Sequence, residues 1–485
     1  MCAGMGKKIA IVGAGVGGLA TATRLAYRGH SVEVFEKLPE CGGRAHIIQD
    51  AGFKFDTGPS FVLMPDFFEE LFSSCGKNLG DYLDLRVLET SYKIFYADGT
   101  TFTVYRDSER TKEELERIEQ GSARSYEAFL KDTAQVYHHV RPLLYQCFTK
   151  KSIVNPRYWG LLFTLKPHQS YWQRVRAFFK TDKLGYAFTF EAMFIGVSPF
   201  EAPGFYSIIT YADHVQKISH PIGGMYQIPL AFEKLARHYG AVFHYNAPVT
   251  GINPGRGSIA LSTAQGKTEA DTVVVNADYA YAQGSLLKRP VPSLSYSCSV
   301  YLIYLGLRQK LTGLEHHNLF LAHDVKKNLQ QIFVEKQVPA DPSFYLHVPT
   351  LTDPTLAPAG KEIVYILVPV PNMHNSHWSF ADAEGGIRNF VFRKVLRETG
   401  IDLPALTEVE HRFYPQDFIT RYNLPYGATF GLSHSLLQSA FFRPPNYDAG
   451  IKNLYFVGAS TQPGGGLPPV IASSKIVADL IGKGI

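Results

Sequence analysis

Lys7-Lys8-Ile9-Ala10-Ile11-Val12-Gly13-Ala14-Gly15-Val16-Gly17-Gly18 is the stretch that decides the fold. A short apolar strand, Lys7–Val12, runs into glycines spaced Gly13-x-Gly15-x-x-Gly18, and the pattern then turns helical over Val16–Arg28. Gly29-His30 supplies a turn and Ser31–Phe35 reads as a second strand ending at Glu36, which makes a β-α-β unit. Gly13 permits the tight turn, Gly15 lets the backbone approach a pyrophosphate, and Gly18 lets helix and strand pack closely. The helix N-terminus offers N–H donors to the anion. Glu36, about 20 residues on, stands where such sites take the ribose hydroxyls of the adenosine half. These residues predict a dinucleotide site in an α/β fold.

The fingerprint alone does not separate NAD from FAD. Working outward, Cys41-Gly42-Gly43-Arg44 follows the second strand, and Asp56-Thr57-Gly58-Pro59 comes next. Gly43 and Arg44 resemble the glycine-glycine-arginine segment of the flavin-containing amine oxidase and carotenoid desaturase superfamily, where the arginine sits by the cofactor phosphates. By the same resemblance, Gly58 and Pro59 line the flavin side. At the far end Leu454–Gly458 repeats the strand-then-glycine pattern, and Pro463-Gly464-Gly465-Gly466-Leu467-Pro468-Pro469 opens an apolar helix, Val470–Leu480. Prolines near a first helical turn cost no hydrogen bond, and the free N–H groups there suit a pyrimidine edge or pyrophosphate. Gly458, Gly465, Gly466, Leu467 and Val470 are therefore assigned to the flavin-ring side of one composite site.

With these segments in place, the chain resembles the bacterial-type phytoene desaturase family over essentially its whole length. The shared segments include His220-Pro221-Ile222-Gly223-Gly224, Val273-Val274-Val275-Asn276-Ala277-Asp278, Leu351–Pro358, Gln438–Pro444 and Tyr455–Gly466. The resemblance implies FAD, a C40 or C30 polyene substrate in carotenoid formation, and Val249 as a backbone contact to adenine. Two departures stand out: Gln462 replaces the usual histidine and Pro469 a usual glycine, so a proton-transfer role for that histidine does not carry over.

A chain of 485 residues exceeds one simple core, and two domains are expected. The fold class is α/β, a Rossmann-like FAD-binding domain (residues 1–75, 222–290 and 420–485) with an inserted substrate and membrane-association region (76–221 and 291–419) of mixed sheet and helices. Arg106–Gln120 reads as a solvated helix face or loop. Between Gln135 and Lys180, Arg141, Lys150, Lys151, Arg157, Lys166, Arg174, Arg176 and Lys180 interleave with aromatics such as Tyr158, Trp159, Phe163, Trp172, Phe178 and Phe179, a mixture suited to anionic headgroups and the acyl boundary. No apolar run approaches about 18 residues, and Met1–Lys8 has no apolar secretory segment. A cytoplasmic protein lying peripherally on a membrane is expected, with five scattered cysteines in a reducing compartment. A net charge of +5 falls short of a nucleic-acid binder.

No catalytic acid or base is assigned. Asp213-His214 is an attractive pair, but on a strand neighbours point to opposite faces, and a surface role competes. His374-x-x-His377 lacks a completing ligand, and no metal is expected. Oxygen or a quinone is the expected electron acceptor, and a homo-oligomer is open. A carotenoid isomerase, saturase or terminal-group oxidase fits the same scaffold, as does a prenyl-lipid-binding chaperone without redox chemistry.

Overall fold

The structure is a computed structural model that describes residues 6–149, 151–152, 155–374 and 378–484. Cys2, Lys150 and His377 lie outside the described residues, as do the side chains of Arg157 and Phe163.

One sheet is wholly parallel, in the order Leu454–Phe456, Thr272–Val275, Lys8–Val12, Ser31–Phe35, Val242–His244. Its strands Lys8–Val12, Thr272–Val275 and Leu454–Phe456 are apolar and buried beyond Lys8 because both faces are covered, as parallel sheets require, while the edge strand Val242–His244 is partly exposed. The register puts Val12 beside Phe35 and Val275, and Val275 beside Phe456. All these strands therefore end in one row. Gly13, Glu36, Asn276 and Val457-Gly458 follow immediately, at the carboxyl edge where open α/β sheets bind ligands.

Helix Val16–Tyr27 is buried over all but its last residue. It packs between helices Gln227–His238 and Leu467–Lys483, which its small residues Gly17, Ala20 and Ala22 allow to come close. Its one buried cation, Arg24, donates to Ser474 Oγ (3.0 Å) and Ser74 Oγ (2.8 Å) and pairs with Glu70 (2.5 Å).

A second sheet has seven strands: Thr407–Phe413, Ser299–Leu307, Glu362–Val370, Phe344–His347, His317–Phe320, Thr90–Phe95 and Thr101–Tyr105. All neighbours are antiparallel except His317–Phe320 with Thr90–Phe95. Helices between Ser108 and Gln216, the longest being Ser122–Val140, pack on it through Tyr126, Phe129, Tyr171 and Phe188. Ser108–Ile118 is a helix with Asp107 as its N-cap. Among the described residues no helix is long and apolar enough to cross a membrane.

Two expectations are corrected here. Asp213 and His214 lie not on a strand but in a π-helical turn, Ala212–Gln216, and both are buried. His214 bonds Tyr92 and Tyr126 hydroxyls at 2.9 Å through its two ring nitrogens, and burial pushes its pKa down to about 3. Arg174 is likewise unavailable to headgroups: it is buried against Asp132 at 2.7 Å, and its guanidinium closes on the carbonyl of Thr164. Arg141 pairs with Asp66, and Arg176 reaches Asp182 at 3.4 Å and lies over the Trp172 ring.

Candidate active site

A cavity of about 1020 Å³ runs from the carboxyl edge of the parallel sheet into the region between the two sheets. Its size is at the upper end for a single ligand site. Gly13, Gly15, Glu36, Gly43, Arg44, Gly58, Pro59, Val249, Gly458, Gly465, Gly466, Leu467 and Val470 all line it. Gly18 does not. It lies behind the turn, where a Cβ would stand 2.1 Å from the Gly13 carbonyl oxygen, so its role is helix-strand contact.

Two helices present uncapped N-termini to this cavity. Neither Gly15, before Val16–Tyr27, nor Gly466, before Leu467–Lys483, has a capping side chain, which leaves the first-turn N–H groups of the former and the Leu467 N–H of the latter, where Pro468 and Pro469 carry none, for an anion or an electron-rich ring. Leu467–Lys483 starts earlier than the sequence pattern indicates, with Pro468 and Pro469 inside its first turn, where they cost no bond.

Glu36 accepts from the Ala14 N–H (2.7 Å) and the Leu38 N–H (2.9 Å). These bonds fix the carboxylate at the cavity wall and leave lone pairs for ribose hydroxyls. Burial raises its pKa, and the backbone donors oppose that shift. Arg44 donates to the Thr429 carbonyl at 2.8 Å and feels the Asp278 carboxylate, so its fork is tied to the C-terminal half of the site. Gly58 presses on Arg44 from the other side: a Cβ there would meet the Arg44 carbonyl oxygen at 2.0 Å.

Several further side chains shape the site through contacts far along the chain. Asn276 stands between the two glycine turns, with Nδ2 donating to the Gly13 carbonyl at 3.2 Å. Its Oδ1 fills the space where a Cβ on Gly17 (2.7 Å) or Gly458 (3.0 Å) would be. Asp56 accepts from Met225 and Tyr226 N–H at 2.7 and 2.9 Å, which explains the Gly223-Gly224 turn beside it. Arg443, fully buried, donates to the carbonyls of Ala459 (2.6 Å), Thr461 (3.1 Å) and Gln438 (3.0 Å), holding the C-terminal loop in shape. His434 accepts from Gly465 N–H on Nε2 (3.0 Å) and faces the Ile195 carbonyl with Nδ1 (3.2 Å). Burial and Arg443 keep it neutral, consistent with Nδ1–H as the tautomer. Gln462 takes no part in proton transfer: its amide pairs with both backbone groups of Phe148 (2.6 and 3.1 Å) and with the Arg443 carbonyl (3.1 Å).

The only charged side chains lining the cavity among the described residues are Glu36, Lys37, Arg44, Asp278 and Arg421. They lie at the glycine end, where Arg44 feels Asp278, and Lys37 feels Glu36 and Arg421. The remainder is uncharged and mainly apolar and aromatic, including Phe61, Phe190, Phe194, Tyr206, Tyr345 and Phe430, with isolated polar groups such as Asn328, Ser343 and Ser439. Asp213 and His214 do not reach it.

The profile of the family described as flavin containing amine oxidoreductase matches residues 16–482. The chain belongs to that family. Its dinucleotide is FAD, which the glycine cradle, Glu36 and the two uncapped helices fit. A zeta-carotene-forming phytoene desaturase of Myxococcus xanthus is 40% identical over 489 residues, spanning 98% of this chain and 93% of that one. A 4,4'-diapophytoene desaturase of Staphylococcus haemolyticus is 34% identical, spanning 97% and 98%. Among solved structures, cyclohexylamine oxidase from Brevibacterium oxydans superposes with a TM-score of 0.62 at 14% identity, covering 99% of both chains, which shows the fold.

Proposed function

We propose that the chain is an FAD-dependent desaturase of a phytoene-type polyene, working in carotenoid formation while docked on a membrane. The observation that carries this reading is the division of one cavity into a charged cofactor end and an apolar, aromatic remainder free of charged side chains. A hydrocarbon gives a site no polar handle, so its binding rests on apolar burial at about 25 cal/mol per Å². Bound flavin supplies a two-electron acceptor for an allylic hydride. The chain's own residues hold the polyene, exclude water and fix the Gly464–Gly466 loop through His434. No carboxylate lines the apolar end among the described residues. The similarity to phytoene and diapophytoene desaturases supports the substrate class.

Membrane docking is supported by the cavity's own rim. Trp159, Leu437 and Phe442 line the cavity yet are 55%, 74% and 51% exposed, an apolar edge suited to the acyl boundary. Arg174, buried against Asp132, is not part of this contact. Oxygen or a quinone takes the electrons onward.

The test is anaerobic addition of the polyene in liposomes to FAD-loaded protein. The flavin should bleach, and reoxidation should leave a product with a longer conjugated system, without NADPH. Flavin that stays oxidised while the polyene is recovered as a geometric isomer would overturn desaturation in favour of isomerisation.

A further inference from the structure

Beside the seven-stranded sheet, behind the cavity-lining rings of Phe61 and Tyr345, gather four histidines that do not line the cavity, His220, His316, His317 and His347. His220 is on the short strand Ser219–Pro221, His316 just precedes strand His317–Phe320, and His347 closes strand Phe344–His347. All are buried. Antiparallel pairing sets His317 opposite His347, and this brings the rings together: His316 and His347 centroids are 4.7 Å apart, and His220 and His316 5.0 Å.

We propose that His220, His316 and His347 form a binding site for a divalent transition-metal ion of the zinc class. One ring nitrogen from each can be chosen so that all three lie within 4.8 Å of one another. Two further observations point to a ligand. Both nitrogens of His220 lack a hydrogen-bond partner although the residue is fully buried, and an orphaned buried polar group costs about 1–3 kcal/mol. The surroundings also resemble the outer support of a metal site. His316 Nδ1 is 2.7 Å from Thr352 Oγ1, and with its proton given to Thr352 the Nε2 lone pair is directed inward, toward His347 Nε2 at 2.9 Å.

Charge and protonation agree. Buried Asp353 places Oδ2 3.9 Å from His220 Nε2, and it is held by Gly223 N–H at 2.6 Å and Thr355 N–H at 3.0 Å. Its charge offsets part of a dication's. Burial lowers the pKa of all three imidazoles, that of His220 to about 4. Imidazoles without a thiol suit zinc, copper, iron or nickel rather than magnesium or calcium. His317, whose Nδ1 meets the Tyr345 hydroxyl at 2.6 Å, is not among the three residues whose nitrogens lie within 4.8 Å of one another. Loss of the ion leaves a purely hydrogen-bonded pair, His347 to His316, with His220 still unpartnered. The ion would clamp Ser219–Gly224, which leads into the Asp56 contact of the flavin half, onto the seven-stranded sheet.

The full chain with FAD bound, expressed with zinc and dialysed against metal-free buffer, should keep about one zinc per chain by mass spectrometry, with imidazole scattering in its X-ray absorption spectrum. His316→Ala and His347→Ala should retain less than about a tenth of it, while exposed His139→Ala retains all. The wild-type measurement stands even if the variants fold poorly. Wild-type protein that holds no zinc and takes up none when it is added overturns the proposal. So does bound zinc that lacks imidazole scattering or survives both replacements.

Discussion

Replacing Asn276 with aspartate changes one atom's chemistry at the point where the two glycine turns meet. In the native site Nδ2 donates to the Gly13 carbonyl at 3.2 Å; in the variant an oxygen would face that carbonyl instead. The lost hydrogen bond is worth about 1 kcal/mol. The new carboxylate also competes with the cofactor's pyrophosphate for the uncapped helix N-terminus. At a separation of about 6 Å and an effective dielectric near 20, the repulsion is about 3 kcal/mol. The hydrogen bond is internal to the protein and is lost from the free and FAD-bound forms alike, so FAD is weakened chiefly by the repulsion, on the order of a hundredfold. Asn276→Ala loses the bond without adding a charge and should weaken FAD by no more than about fivefold. Titrating deflavinated protein with FAD and following the quenching of its fluorescence measures both. Equal weakening by aspartate and alanine would refute the charge argument. If neither variant weakens binding by more than about twofold, Asn276 is not beside the pyrophosphate.

Gln462→Ala should lower the melting temperature of the holoprotein clearly, because it orphans the N–H and carbonyl of Phe148 and unpairs the Arg443 carbonyl, at about 1–3 kcal/mol for each buried orphan. Gln462→His should recover only part of this, since two ring nitrogens replace three bonds, and a melt identical to wild type would show the tie is not needed. The pH dependence of stability should carry the mark of Asp213, whose pKa burial raises to about 7 in the folded state, with Ser91 and Lys217 opposing. Its unfolded value is near 3.9, so the native state holds a proton that the unfolded chain has released. Stability should therefore be full below about pH 4 and fall by up to a few kcal/mol as pH rises to about 7. Urea titrations of Asp213→Asn should show a shallower fall over that window. An unchanged slope would mean that Asp213 is ionised throughout.

The β-α-β unit and the glycine-rich C-terminal helix are legible in the sequence because both rest on local rules: an apolar strand, glycines where backbone approaches backbone, and prolines where no N–H is needed. Glu36 is legible for the same reason, since it ends a strand whose register is fixed by Val34 and Phe35. Asn276, Arg443 and Gln462 are not. Each works through a side chain reaching residues far along the chain, and no local period records that reach. Asp213-His214 is misread because a π-turn has no alternation to distinguish it from a short strand. Arg174 looks like one base among several in a basic stretch, and only the fold brings Asp132 against it.

The placement of charge in the cavity has a consequence for how substrates are told apart. The charged side chains sit at the glycine end, so they orient the cofactor and say nothing about a hydrocarbon. A methylene more or less in an apolar pocket is worth only about 1–3 kcal/mol. Discrimination of polyene length therefore rests on where the apolar chamber closes, and on which carbon lies against the flavin when the chain end meets that wall. The cofactor end is pinned by Asn276, Arg44 and His434, each bonded to backbone of another segment. The apolar end is lined by side chains with no polar anchor, such as Phe194 and Phe430. Changes of size at the apolar end can shift the reacting carbon without disturbing the flavin. One scaffold can in this way hold its redox chemistry constant while the length of its product varies.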